Sequence, residues 1–215
     1  MAAYVELSKN DCPKSDAKKA KIKKIPYLLV VGSLMYAMVS TRPDIAFAVG
    51  VVSKYMANLG KKHWEVVKHV LRCLKGLAGK CLCFGNSDAS IVGYIDLDYA
   101  ESVNTRRSAS CYVFLFARAT VSWRSCLQNC SGRPWYTSNP VLHCDSQSAI
   151  ALAKNHVFHS KSKHIEVRYH GIRDISASKH IELAKVDTND NPVDALTKSL
   201  SSERFAHCIE MMGVG

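Results

Sequence analysis

A short apolar segment that ends in two aspartates constrains this chain more than any other feature. Residues 91–100 read IVGYIDLDYA, an apolar and β-branched run that is typical of a buried strand. Asp96 and Asp98 lie near its end. Burying an ionised carboxylate without a partner costs on the order of several kcal/mol. We therefore expect these aspartates to meet hydrogen-bond donors, a cation or a metal ion.

Two later segments carry aspartates in similar positions. Residues 142–150 (LHCDSQSAI) read as a short strand that ends at Asp145 and opens a helix, and residues 191–198 (NPVDALTK) begin a helix with Asp194 on its first turn. Aspartates at the ends of three elements predict the carboxylate cluster of a divalent-metal nuclease. For each aspartate alone, a helix cap or a solvated loop acid remains the alternative.

These segments belong to an ordered series of motifs. The series is GYIDLD at 93–98, RS at 107–108, VSW at 121–123, CDSQSA at 144–149, KHIEVRYH at 163–170 and DALTK at 194–198, preceded by VGSLMY at 31–36 and TRPDIA at 41–46. In this order the later motifs resemble the ribonuclease H domain of Ty1/copia-type retrotransposon Pol polyproteins. The two upstream motifs resemble the stretch between the polymerase palm and ribonuclease H in that family. The resemblance covers residues 26–212.

The resemblance implies an α/β (α+β) fold in three parts. Residues 1–25 are lysine-rich and are expected to form a flexible basic tail. Residues 26–79 are expected to form a helical segment similar to a polymerase thumb or connection. Residues 80–212 are expected to form a truncated ribonuclease H-like domain, a mixed sheet flanked by helices. A polymerase palm is not expected in this chain.

Hydrophobic periodicity predicts three helices in the 26–79 segment. The first, at 27–40, is apolar nearly all round and is expected to be the buried central helix. The second follows Thr41. The third, from about residue 62 to 75, is expected to bury Trp64, Val67, Leu71 and Leu74 and to turn outward a basic face that includes Lys68, Arg72 and Lys75. Such a face can follow a nucleic-acid backbone, and an ordinary solvated helix face is the alternative.

One expected element of the family is missing from the sequence between about residues 126 and 140. Residues 128–139 read QNCSGRPWYTSN, with a glycine, a proline and no helical period. In the family this place holds the start of a long helix that carries the catalytic glutamate. No glutamate occurs between Glu101 and Glu166. We expect this chain to lack both the helix and its metal ligand.

The resemblance also implies a set of site residues and partners. Asp96 would bridge two Mg²⁺ ions, or Mn²⁺ in their place, with Asp145 and Asp194 on either side and Asp98 as a further candidate ligand. The expected partner is an RNA–DNA hybrid or another nucleic acid, and an intact Pol copy is a second. The expected nucleic-acid contacts are Lys68, Arg72, Lys75, Lys163, His164, Arg168 and His170.

Without the glutamate, the resemblance implies a relative of reverse transcriptase and ribonuclease H with little or no cleavage activity. Three functions stay open at this point. The chain is a decayed Pol fragment without a role, a nucleic-acid-binding module that does not cut, or a residual metal-dependent ribonuclease H.

Composition agrees with a nucleic-acid partner. The net charge is +11 and the sequence pI is about 9.3, which favours a polyanionic partner, most simply nucleic acid, with a generally basic soluble surface as the alternative. The nine cysteines include no CxxC pair, so we expect free thiols in a reducing compartment. A thiol nucleophile at Cys126 or Cys144, and a zinc site at His156, His159 and His164, are weaker alternatives.

The sequence shows neither a signal peptide nor a segment long enough to span a membrane. Residues 1–24 contain no apolar run like that of a signal peptide, and the longest apolar run, at 27–39, is too short to span a bilayer. We expect an intracellular protein, cytoplasmic or nuclear, that is not secreted and has no membrane partner.

Overall fold

The computed structural model describes residues 7–8, 11–13, 15, 22, 24–85, 90–98, 109–127, 141–147, 150–151 and 182–215. The helices are α1 (Tyr27–Ser40), α2 (Ala46–Ser53), α3 (Lys61–Gly76), α4 (Asp194–Thr197) and α5 (Ser202–Met211). The strands are β1 (Ile91–Asp98), β2 (Ala109–Phe116), β3 (Ala119–Leu127), β4 (Val141–Cys144) and β5 (Glu182–Lys185). Short 3₁₀ turns occur at Pro43–Ile45 and Thr188–Asp190. These elements confirm the predicted mixed α/β fold.

The five strands form one mixed sheet in the order β3-β2-β1-β4-β5. The strands β1, β2 and β3 pair antiparallel, and β4 pairs parallel with both β1 and β5. The β2–β3 hairpin turns at Ala117 and Arg118, whose φ angles are 49° and 64°. Two successive positive φ angles give a tight turn whose twist matches that of the flanking strands. The central position of β1 places Asp96 next to both halves of the sheet.

The helices α1 to α3 pack around a core of their own. The Tyr27 hydroxyl donates a hydrogen bond to the Val52 carbonyl oxygen at 2.8 Å, which ties α1 to α2. From α3, His63, Val66 and Val70 are buried. Burial raises the pKa of Tyr27 to about 12, as expected for a phenol surrounded by this core.

Two details of the helical segment were predicted wrongly. The helix α1 is not buried all round, because Leu29, Tyr36 and Val39 are 72%, 78% and 70% exposed. It packs against α2 and α3 with only one side, so its apolar residues exceed the surface that its neighbours can cover. The buried face of α3 is also rotated, since Leu71 is 40% exposed while Val70 is buried. The buried face also contains His63, whose ring stacks on that of Tyr55.

A second core joins the sheet to the C-terminal helices. It includes Val113 of β2, Leu196 of α4 and Met212, all fully buried. After α5, Gly213 takes a φ of 72°, and its N–H and that of Val214 bond back to carbonyls of the last helical turn. A Cβ on Gly213 would lie 2.4 Å from the Arg118 carbonyl oxygen, so glycine is required there. This core holds α4 against β1.

The helical segment and the sheet are joined by a specific contact. The indole N–H of Trp123 on β3 donates to the Met38 carbonyl oxygen of α1 at 2.9 Å. The boundaries predicted at residues 26 and 80 stay predictions. Within the described ranges, no helix is both long enough and apolar enough to cross a bilayer.

Several predicted features lie outside the described residues. They are the basic tail for the most part, the segment 128–140 where the glutamate-bearing helix is expected to be missing, and the helix at 163–175 with Lys163, His164, Arg168 and His170.

Candidate metal centre

The register of two parallel strands brings the first two aspartates together. Ile95 of β1 pairs with Cys144 of β4, so the next residues along the two strands are Asp96 and Asp145. Asp96 is only 8% exposed and Asp145 is half-buried. Because the strands are parallel, both carboxylates emerge at the same edge of the sheet.

A short turn places the third aspartate over the same edge. Asn191 is fully buried, and its side-chain amide donates to the Ile95 carbonyl oxygen at 3.2 Å. Its side-chain oxygen accepts from the Val193 N–H at 3.3 Å. These two bonds fix the start of α4 beside the end of β1. Asp194, the first residue of α4, is 1% exposed.

The three aspartates form one cluster. A carboxylate oxygen from each of Asp96, Asp145 and Asp194 lies within 4.8 Å of the other two. The Oδ2 atom of Asp96 is buried and has no hydrogen-bond partner. A buried carboxylate oxygen without a donor is costly, and a cation at this position would satisfy it.

Positive side chains of the same chain surround Asp194. Arg204 of α5 donates to its Oδ2 atom at 3.0 Å. Lys198 places its Nζ atom 3.0 Å from Oδ1, close enough for an ion pair but without an aligned hydrogen bond. Two cations therefore face Asp194, while Asp96 and Asp145 have none at ion-pair distance in the described part of the chain.

The electrostatic environment of Asp96 differs from that of an ordinary surface acid. Burial raises the pKa of Asp96, and the charges of Asp145 and Asp194 raise it further. The neighbouring Thr197 side chain and the charge of Lys198 act in the opposite direction. The cluster is thus strained by like charge, a condition that a bound divalent cation relieves.

The donor set fits a hard divalent cation. All three side chains offer carboxylate oxygens, which are the ligands that Mg²⁺ and Mn²⁺ prefer. The Oδ2 atom of Asp96 accepts no hydrogen bond and is therefore available to coordinate a cation. Asp98 ends β1, and its side chain lies outside the described part of the structure. The structure therefore brings together Asp96, Asp145 and Asp194 of the predicted ligands.

Three of the predicted nucleic-acid contacts lie on α3, which precedes the strands and helices of this cluster in the sequence. We define the basic face of α3 as Lys68, Arg72 and Lys75. Arg72 and Lys75 are exposed, and Lys68 pairs with Glu65 at 2.7 Å. Helical spacing places these residues on one face, opposite the buried side of α3.

Sequence reasoning missed two residues that shape the site. Asn191 orders the turn before α4, and the only sequence signal for it is an Asn-Pro pair at a helix start. Arg204 lies ten residues beyond Asp194 and bonds to Asn189 and the Thr188 carbonyl as well as to Asp194. No short-range spacing connects Arg204 with the aspartate, because the contact depends on how α5 packs.

Comparison with known proteins connects this geometry to a family. No family model matches the sequence. The chain is 43% identical over 241 residues to the retrovirus-related Pol polyprotein from transposon TNT 1-94 of Nicotiana tabacum, a match that covers 100% of this chain and 18% of that protein. The chain belongs to the Pol polyproteins of copia-type retrotransposons. This Pol segment is also 33% identical over 218 residues to the Pol polyprotein from transposon RE2 of Arabidopsis thaliana, covering 87% of the segment and 15% of that protein.

The Pol segment therefore spans less than a fifth of the length of these relatives. A solved structure of the foamy viral protease-reverse transcriptase in complex with double-stranded DNA aligns with 84% of the segment, and the alignment covers 36% of that chain. The sequence identity in this alignment is 10% and the TM-score is 0.31. These values are too low to assign a shared fold.

Proposed function

We propose that this Pol segment forms a ribonuclease H-like site that holds divalent metal and binds an RNA–DNA hybrid but cleaves it slowly or not at all. The observation that carries the proposal is the cluster of three carboxylates within 4.8 Å, combined with a sequence that offers no glutamate between Glu101 and Glu166. Three acids fit a metal site, whereas the family pattern for cleavage has four.

Each aspartate has a role in this proposal. Asp96, central in the sheet and next to both other acids, would bridge two metal ions, and Asp145 and Asp194 would each hold one side. When bound, divalent metal would neutralise charge on a phosphodiester and activate the attacking water. The protein contributes the fixed carboxylates, with Asp194 oriented by Arg204 and by the turn at Asn191.

The missing glutamate supports low activity. Both matches extend over more residues than this chain contributes, with 241 aligned residues against a chain length of 215 in the first. Residues of the relatives therefore lack a counterpart here, in agreement with an internal shortening. Loss of a residue that merely supports a metal ligand commonly costs about 10–100-fold, and loss of a ligand itself is expected to cost more.

The test is cleavage of an RNA–DNA hybrid by purified protein in Mg²⁺ and in Mn²⁺. Asp96→Asn removes the central ligand, and Glu182→Gln removes one exposed negative charge of β5 as the matched control. We expect metal binding in the wild type and in the control, and little or no cleavage in any of them. Robust cleavage that Asp96→Asn abolishes would show that three aspartates suffice and would overturn the inference of low activity.

A second candidate function is nucleic-acid binding without chemistry. The basic face of α3 favours it, because three cationic side chains share one face while the opposite side of the helix is buried in the core. Binding of a fluorescent hybrid in EDTA, where metal-dependent contacts are removed, tests this candidate. If the affinity in EDTA does not depend on salt, phosphate contacts by this face are excluded.

We further propose that the segment acts inside the cell, in the cytoplasm or the nucleus, where its nucleic-acid partner would be found.

A further inference from the structure

The two cations around Asp194 are held in different ways. The Arg204 guanidinium bonds to Asn189, to the Thr188 carbonyl and to Asp194, and its side chain is 19% exposed. The Lys198 side chain is 40% exposed, and its ammonium faces Asp194 through an ion pair without an aligned hydrogen bond. Arg204 is therefore anchored by three groups around Asp194, and Lys198 is the more exposed of the two cations.

The charges of the cluster explain why Lys198 is drawn to this position. Three carboxylates lie together, and Arg204 balances one of them at most. The Lys198 ammonium reduces the remaining repulsion at Asp194 and also acts on Asp96 by its charge. Without a metal ion, the Lys198 ammonium serves as a counter-ion beside Arg204, and the long stem of a lysine side chain allows its ammonium to reach either a buried acid or solvent.

A divalent cation needs the same carboxylate. Asp194 Oδ1, the oxygen that Lys198 faces, is buried and makes no hydrogen bond, so it is the oxygen of Asp194 open to a metal ligand role. Oδ2 is already occupied by Arg204. Lys198 and a metal ion cannot both lie against Oδ1 without strong repulsion between like charges.

We propose that Lys198 is an internal counter-ion that competes with divalent metal for Asp194 and so weakens metal binding at the three-aspartate cluster. Arg204, bonded to the other oxygen, holds the carboxylate in place and does not compete. This inference rests on the proposed metal site and adds its regulation: metal occupancy requires the Lys198 ammonium to swing away. A higher metal concentration is therefore needed to occupy the cluster than would be needed without Lys198.

The test compares Mn²⁺ binding by calorimetry in the wild type and in Lys198→Met, which keeps an unbranched apolar stem and removes the charge. We expect Lys198→Met to bind Mn²⁺ about tenfold more tightly, since a positive charge in contact with one ligand is removed. Without metal, the variant is expected to melt at a lower temperature, because Asp194 loses a partner. Added Mg²⁺ is then expected to raise its melting temperature more than that of the wild type.

Two matched variants separate this effect from a general change of charge. Lys54→Met removes an exposed cation beyond the end of α2 and is expected to leave Mn²⁺ affinity unchanged. Arg204→Met removes the other cation at Asp194 and is expected to lower the melting temperature without tightening Mn²⁺ binding. Equal tightening in Lys54→Met or in Arg204→Met would overturn the specific role of Lys198.

The remaining outcomes distinguish the inference from the function on which it rests. Binding of equal strength in the wild type and in Lys198→Met would overturn the counter-ion role and leave the metal site standing. Detectable Mn²⁺ binding in Lys198→Met but not in the wild type would support the counter-ion role of Lys198 and would mean that the lysine blocks the metal site. Absence of Mn²⁺ binding in both proteins would overturn the proposed metal site together with this inference.

Discussion

Replacement of Asp96 by asparagine is expected to stabilise the metal-free protein, although it removes the central ligand of the proposed metal site. In the folded chain this carboxylate is 8% exposed, has an unpartnered oxygen and lies within 4.8 Å of two other carboxylates. At an effective dielectric constant of about 20, two unit charges at that separation repel by about 3.5 kcal/mol. Asparagine removes the charge and adds an amide N–H donor that its acidic neighbours can accept.

The net gain is smaller than the repulsion, because Lys198 and Arg204 already screen the cluster. We expect Asp96→Asn to raise the free energy of unfolding by about 1–2 kcal/mol in EDTA at neutral pH. For a chain of this length, that gain corresponds to a rise in melting temperature of about 2–8 °C. The assay is thermal unfolding followed by circular dichroism, with Glu182→Gln as the exposed control and an expected change below about 0.5 kcal/mol.

The pH dependence gives an independent check. Burial raises the pKa of Asp96 in the folded state, so the wild type loses stability as pH rises from the unfolded-state pKa through the folded-state pKa. The advantage of Asp96→Asn is therefore expected to be largest at neutral pH and to shrink in acid, where Asp96 itself is protonated. A melting temperature of Asp96→Asn below that of the wild type in EDTA at neutral pH would refute the strained-cluster reasoning.

Three further predictions concern the helical segment. Changing all three residues of the basic face of α3 to glutamine should reduce the slope of log affinity against log salt for a hybrid by up to about 3, whereas Lys54→Gln should not, as measured by fluorescence anisotropy. Burial lowers the pKa of His63 in the folded state, so as the pH drops through about 6.5 the unfolded chain binds a proton at a higher pH than the folded chain does, and the free energy of unfolding should fall. Denaturant titrations across this pH range should show a smaller fall for His63→Gln, whereas the control His69→Gln should not reduce it. Gly60→Ala should destabilise by about 1–3 kcal/mol, because its Cβ would lie 1.9 Å from a backbone oxygen, whereas Gly50→Ala in open helix should stabilise by about 0.5–1 kcal/mol.

Much of the site could be anticipated from local sequence. An apolar β-branched run that ends in Asp96, and a second short run that ends in Asp145, predict two strands whose ends carry acids. Asp194 falls in the first turn of a helix that a motif of five residues marks. These signals are local, because strand and helix termini are encoded by the few residues around them.

Other parts of the site could not be anticipated in this way. Arg204 meets Asp194 only because α5 packs across the turn at Thr188–Asp190, and Asn191 reaches Ile95 across about a hundred residues of chain. The exposed side of α1 is a similar case. Its composition predicts a buried helix, but burial depends on whether a neighbour exists to cover each side.

By itself, the sequence determined the elements, the family and the three acids, since each depends on short patterns of apolar residues, turns and charges. Only the tertiary structure decided how the acids are arranged. The parallel register of β1 and β4 sets Asp96 beside Asp145, and the packing of α4 and α5 adds Asp194 together with Lys198 and Arg204. The distances between these charges, a few ångströms that no linear spacing encodes, make the cluster electrostatically strained and partly neutralised, which is the basis of the proposed divalent-metal site.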